Sequence, residues 1–157
     1  MNYLKVAVAI MVLAASVAWA DDPAPEKPAP TDKCPVCGMF VAKYPDFMAR
    51  IVFKDGSQAW FDGSKDLAKY YLNLATYNPS KKAADIASIS VTDYYTLKPI
   101  DGNKAYYVVG SDVYGPMGKE LVPFGEEKAA KEFLKDHNGK SILQFHDIKP
   151  ELIGSLD

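Results

Sequence analysis

The chain has 157 residues, with 18 Lys and Arg against 20 Asp and Glu and a formal net charge of −2. That balance leaves no electrostatic footprint for nucleic acid, and none for an anionic membrane surface. Two cysteines do not make a disulfide framework, so the fold must rest on an ordinary hydrophobic core.

Residues 1–5 are short and carry one positive charge, residues 6–18 are apolar, and Ala18-Trp19-Ala20 has small residues where a signal peptidase reads. This pattern predicts a secretory signal peptide over 1–20, cleaved after Ala20, and a periplasmic location. Asp21 and Asp22 end the apolar run short of the about 20 residues that a bilayer span needs. No cysteine stands at the cleavage site, so the expected mature chain is soluble, without a lipid anchor or membrane span. Losing Lys5 with the leader leaves 17 basic against 20 acidic residues, a net charge of −3. Residues 21–32 are Asp, Pro, Ala, Glu and Lys in the main and read as a disordered, proline-rich tether.

The rest, about 125 residues, suits one domain or two very small intimate ones. After Cys34-Pro35-Val36-Cys37-Gly38-Met39, a turn at Tyr44-Pro45-Asp46 leads into a predicted strand over 47–53. Lys54-Asp55-Gly56-Ser57 supplies hairpin chemistry, because Asp-Gly accepts the positive φ of tight turns, and 58–61 returns as the second strand. Asp62 or Ser64 is placed to cap a helix beginning near Lys65, with Leu67, Tyr70, Tyr71 and Leu74 as its apolar face. Asn78-Pro79-Ser80 ends this first ββα unit, 33–80.

The second unit, 81–148, is expected to hold strands at 86–91 and 94–97, a turn at 99–103 and a strong strand at 105–110. A glycine-rich loop, Tyr114-Gly115-Pro116-Met117-Gly118, precedes a short strand at 121–124. A helix over 126–136 has an acidic first turn, an apolar side of Ala129, Ala130, Phe133 and Leu134, and Asn138-Gly139 as its stop. A last strand at 141–145 precedes a polar tail, 149–157. Shifting the sequence by 63 positions lays Phe61 on Phe124, Lys65 on Lys128, Leu67 on Ala130, Tyr70 on Phe133 and Tyr71 on Leu134. The predicted class is α+β: two small similar units, each an antiparallel hairpin or sheet covered by one helix.

No catalytic constellation stands out: there is no Ser/His/Asp set with an elbow, no phosphate-cradling glycine loop and no His-x-x-x-His pair. The expectation is a protein that is not an enzyme. Structural zinc requires about four N or S ligands. Cys34, Cys37, His137 and His146 are the whole supply, with the histidines too far apart for finger spacing. A thioredoxin-like pair requires a strand-to-helix junction, whereas Gly38-Met39-Phe40-Val41 continues with β-favouring residues. A thiol-redox pair and a plain disulfide that ties down the tether stay open as alternatives. A soft-metal site has the better chemistry, since copper(I) prefers thiolate and thioether donors. A thioether has no proton to compete with the metal and cannot be lost to a disulfide. Met1 and Met11 leave with the leader, Met48 lies in an apolar strand as a core residue, and Met39 and Met117 sit in glycine-flanked stretches read as exposed.

Cys34-Pro35-Val36-Cys37-Gly38-Met39, Phe61-Asp62-Gly63 before the first helix, Gly110-Ser111-Asp112, Gly115-Pro116-Met117-Gly118 and Val122-Pro123-Phe124, in this order, resemble the NosL family over residues 34–148. The resemblance implies a periplasmic copper(I)-binding accessory protein of nitrous oxide reductase maturation. It also implies two ββα-type units related to the treble clef and to organomercurial lyase. Position by position, Cys37 and Met39 match the family's Cys-x-Met, and Met117 matches the methionine of its glycine-rich loop. Cys34 extends the motif to a Cys-x-x-Cys that only some members show, and His146 stands as a further candidate ligand. Two departures are visible: many members are lipoproteins, whereas this chain lacks the lipid-attachment cysteine, and some carry a second methionine where Tyr114 stands. The expected function is a metallochaperone that passes one copper(I) by ligand exchange to a copper-accepting enzyme, nitrous oxide reductase or another periplasmic cuproprotein. Association into a homodimer is left open.

Overall fold

The Asp55-Gly56 turn joins β1 (Ala49–Phe53) to β2 (Gln58–Phe61) as an antiparallel hairpin, with Gly56 at φ +83°. Ala49, Ile51 and Phe53 alternate inward along β1, as a half-buried strand requires. The structure, a computed structural model, describes residues 27–157; the predicted leader and residues 21–26 of the tether lie outside the described residues. Helix α1 (Ser64–Leu72) follows, with a further turn, α2 (Leu74–Tyr77), after Asn73. Leu67, Tyr70 and Leu74 are buried as the helical spacing predicts, and Tyr71 packs edge-on against Phe145 at 5.0 Å. The start of α1 differs from expectation, because neither Asp62 nor Ser64 caps it. Gly63 holds the N-cap position, and the carboxylate of Glu120 accepts the Lys65 N–H at 2.6 Å. Asp62 instead accepts a hydrogen bond from the Cys37 thiol.

β3 (Ile86–Thr92) pairs with the far side of β1, and β4 (Pro99–Asp101) pairs with β3, giving one antiparallel sheet in the order β2-β1-β3-β4. This sheet therefore draws strands from both sides of Ser80. The expected strand at 94–97 is a turn instead. Asp93 draws the N–H groups of Tyr95 (3.1 Å) and Thr96 (2.8 Å) onto its carboxylate, and Leu97 takes φ +56°. The expected turn at 99–103 begins as β4, where Pro99 is tolerated because β4 is an edge strand.

β5 (Tyr106–Val109) lies between β8 (Val122–Phe124) and β9 (Ser141–Gln144) in a second antiparallel sheet. Both its faces are covered, which is why the strand reads as an unbroken apolar run. Val108 joins Val122, Phe124, Ala130 and Phe133 under α3 (Glu127–Asp136), while Tyr107 and Val109 face the main core with Ile51, Phe61 and Leu121. The aromatic pairs of the sequence repeat are both present: Phe61 meets Tyr70 at 5.1 Å and Phe124 meets Phe133 at 4.9 Å. The glycine-rich loop is a small ribbon, β6 (Tyr114–Gly115) against β7 (Gly118–Lys119), with Pro116 and Met117 at its tip. The segment read as a polar tail folds into α4 (Pro150–Leu156). Pro150 begins it and Ile153 and Leu156 are buried in the main core, so its apolar residues, and not the polar ones around them, decide where the segment packs.

Asp93 holds the junction of the two sheets, since its second oxygen accepts the Gly125 N–H at 2.7 Å. Burial alone would raise this carboxyl, but the hydrogen bonds from Gly125, Thr96 and Tyr95 hold it below the ordinary range. Its contribution to stability is therefore present above the unfolded-state value and lost as pH falls through the folded-state value. Asp93→Ala is expected to lower unfolding stability by about 2 kcal/mol, measured by urea denaturation near neutral pH, with the deficit shrinking in acid.

Candidate metal centre

The Cys34-Pro35-Val36-Cys37-Gly38-Met39 stretch closes on itself as a tight loop. Gly38 N–H donates to the Cys34 carbonyl and Cys34 N–H to the Met39 carbonyl, both at 2.9 Å, and Gly38 takes φ +79°. A glycine is required there because L side chains are strained at that φ. A bridge between Lys33 and Phe40 closes the loop at its base. The N–H groups of Val36 and Cys37 point at the Cys34 sulfur and that of Met39 at the Cys37 sulfur, so the backbone is arranged around both sulfurs. Cys34 is buried and Cys37 half-buried, and both are free thiols.

Opposite the loop stand Asp62, just before α1, and Asp66, in its first turn. Cys34 donates its S–H to Asp66 Oδ2 and Cys37 donates to Asp62 Oδ1, each at 3.3 Å. One ligand atom from each of Cys34, Cys37, Asp62 and Asp66 lies within 4.8 Å of all the others. The carboxylates are 1% and 4% exposed. Burial pushes the Cys34 thiol far above its ordinary range and the Cys37 thiol up to about 12, and it also raises Asp66. Asp62 Oδ2 is buried with no hydrogen-bond partner among the described residues. Buried carboxylate oxygens are rarely left so, and the residues clustered with Asp62, namely Cys34, Cys37 and Asp66, are all acids. The set fits a cation: two thiols that become soft thiolate donors on losing their protons, with carboxylates beside them.

The other predicted residues are placed as follows. Met39 is half-buried and belongs to the same loop as the cysteines. Met117 is 44% exposed at the ribbon tip, and its carbonyl accepts a hydrogen bond at 3.0 Å from Lys65, a residue of the helix turn that also carries Asp66. His146 is 71% exposed, with Nε2 3.4 Å from Asp147, and is not among the clustered residues. His137 stacks on Phe133 at 4.3 Å and holds Asp112 at 2.9 Å, so the Cys34, Cys37, His137 and His146 quartet considered for zinc is not assembled. Met48 packs half-buried against the main core, as expected.

Sequence reasoning missed the two aspartates as site residues. Asp62 was legible as part of Phe61-Asp62-Gly63, and Asp66 follows it by four, the spacing that puts two side chains on one side of a helix start. Isolated acids at a helix N-terminus ordinarily serve as caps, which hides them.

No helix among the described residues is long and apolar enough to cross a membrane. A family model described as NosL matches residues 25–153. The copper-binding lipoprotein NosL of Stutzerimonas stutzeri is 32% identical over 131 residues, which are 78% of this chain. The chain spans 65% of that relative's length. In fold, the chain is similar to the crystal structure of the copper chaperone NosL from Shewanella denitrificans, with TM-score 0.67 at 24% identity, covering 82% of this chain and 99% of that one. A family model that matches most of the chain, and a relative 32% identical over 78% of it, support one assignment: the chain belongs to the NosL family.

Proposed function

We propose that this protein is an exported, non-enzymatic carrier of a single copper(I) ion, which it hands to a copper-accepting enzyme, nitrous oxide reductase in the first instance. The observation that carries this reading is the cluster of Cys34, Cys37, Asp62 and Asp66, with its unpartnered Asp62 oxygen. The printed names of the relatives, one copper-binding and the other a copper chaperone, point the same way. Cys34, Cys37, Met39 and Met117 are the proposed donors, since copper(I) favours sulfur. Asp62 and Asp66 hold the thiol hydrogens before loading. His146 is left out of the set, because it lies in solvent beside Asp147.

Thiol-redox function is the weaker reading, because redox nucleophiles have lowered thiol pKa values and these two are raised. A harder divalent ion such as zinc is the competing cargo, favoured by the carboxylates Asp62 and Asp66. The two cargoes separate by mutation. Cys37→Ser is expected to weaken copper(I) retention about 100-fold and Met117→Ala about tenfold, read anaerobically against a chromophoric chelator. Asp62→Asn with Asp66→Asn should instead cost zinc more than copper(I). Copper retention unchanged in both sulfur variants would falsify the ligand set.

Loading must also expel thiol protons. Both thiols titrate above their ordinary value and are protonated at neutral pH, so the metal competes with protons and its affinity rises with pH. Between pH 6 and 8 the apparent affinity is expected to climb about tenfold per pH unit for each proton displaced. Chelator competition at several pH values measures the slope; a flat profile would rule out thiol ligation.

A further inference from the structure

Lys65 is 2% exposed, yet it carries a charge. Its ammonium lies among three oxygens: the Met117 carbonyl at 3.0 Å, the Leu156 carbonyl at 3.1 Å and Asp157 Oδ1 at 3.6 Å. Burying a lysine costs free energy unless its donors are met, and here they are met by the tip of the β6–β7 ribbon and the end of α4. The same residue's N–H is taken by Glu120, whose Oε1 also accepts the Leu121 N–H at 2.8 Å. The other Glu120 oxygen fills the space where side chains would begin on Gly63 and Gly115. A Cβ on those glycines would meet it at 2.3 Å and 2.8 Å. The first turn of α1 thus holds the ribbon at two points, by an ammonium at its tip and by a carboxylate at its base.

That turn is also the one that holds the thiols. Asp62 and Asp66, the acceptors of the two S–H groups, flank Lys65 in sequence. A chain of hydrogen-bonded residues therefore runs from the cysteine loop through the start of α1 to the carbonyl of Met117. Nothing in the helix itself demands a buried lysine. Lys128, which the 63-residue shift lays on Lys65, is 84% exposed and lies 3.9 Å from Glu132. We propose that Lys65 is the positioning residue that seats Met117 at the metal centre, fixing by its ammonium the ribbon whose thioether completes the copper site. This rests on the reading of Met117 as a ligand.

The test is a double-mutant cycle on the mature protein, with Lys65→Met, which keeps the apolar stem and removes the ammonium, against Met117→Ala. Copper(I) affinity is read by anaerobic chelator competition. Each single variant is expected to weaken binding about tenfold, and the double variant to be within about twofold of either single, because both remove the same contact. Losses that multiply to about 100-fold would overturn the proposal, since Lys65 would then act through overall stability or charge. So would an unchanged Lys65→Met beside a weakened Met117→Ala. If Met117→Ala alone has no effect, the ligand reading falls and takes this proposal with it. Methyl-13C methionine NMR gives a readout that mere stability does not move. The copper-induced shift of the Met117 methyl should vanish in Lys65→Met while that of Met39 persists; a retained Met117 shift overturns the proposal. Should Lys65→Met not fold, Lys65→Gln, polar but one atom shorter, is expected to show the same two results and is judged by the same criteria.

Discussion

Two thiols and two carboxylates share a space in which their ligand atoms lie within 4.8 Å, with Cys34 and both carboxylates withdrawn from water and Cys37 half-buried. A protein interior cannot hold that much acid as anions without a compensating positive charge. Much of the surrounding structure reads as an answer to this demand. The thiols stay protonated and give their hydrogens to the carboxylates. Helix α1 begins at this point, so the positive end of its dipole faces Asp62 and Asp66. Lys65 brings a full positive charge into the same turn and acts against the rise of Asp66. Even so, one oxygen of Asp62 stays without a partner among the described residues, and on the proposed reading a bound cation would supply it.

The same constraint explains why one of two similar helix starts carries the site. The 63-residue shift that lays Phe61 on Phe124 lays Asp62 on Gly125, Lys65 on Lys128 and Asp66 on Ala129. The aromatic pair under each helix is kept, at 5.1 Å and 4.9 Å, because it is a packing requirement. The acids are not kept. α3 closes over an apolar cluster of Val108, Val122, Phe124, Ala130 and Phe133, with no cysteine loop opposite it. Where α1 meets its neighbours through Lys65 and Glu120, α3 leaves its lysine in solvent.

How much of this the sequence discloses follows from the range of the interactions concerned. The β1–β2 hairpin, the apolar faces of α1 and α3 and the strand β5 are written in local periodicity and turn chemistry, and they fold as read. The motif residues Cys34, Cys37, Met39 and Met117 are visible because sulfur is scarce in the chain. Residues 94–97 are not legible as a turn, since the side chain of Asp93 overrides their β-favouring character from the preceding position. α4 has seven residues with a glycine among them, too few for a helical period to show, and only its packing on the main core shows why it forms. Glu120 looks like a surface acid, and its role as the helix cap in place of Asp62 or Ser64 depends on a partner 55 positions away. Asp62 and Asp66 become readable as site residues only once the cysteine loop is seen across from them.

On the proposed reading as a carrier, holding the ion matters less than releasing it to one acceptor, and the proposed donors are graded in a way that serves release. Cys34 lies deepest, at 1% exposure, with backbone N–H groups aimed at its sulfur. Cys37 and Met39 are half-buried in the same loop, and Met117 stands outermost on a two-residue ribbon tip. On the copper(I) reading, an incoming sulfur or nitrogen ligand meets the neutral thioether of Met117 first, and a neutral donor is displaced with less electrostatic cost than a thiolate. Each later exchange exposes the next donor inward, and the departing ion leaves thiolates beside Asp62 and Asp66, where burial favours their reprotonation. Uptake of those protons makes release harder to reverse, so on this reading the burial that makes loading compete with protons also helps the site to let the cation go.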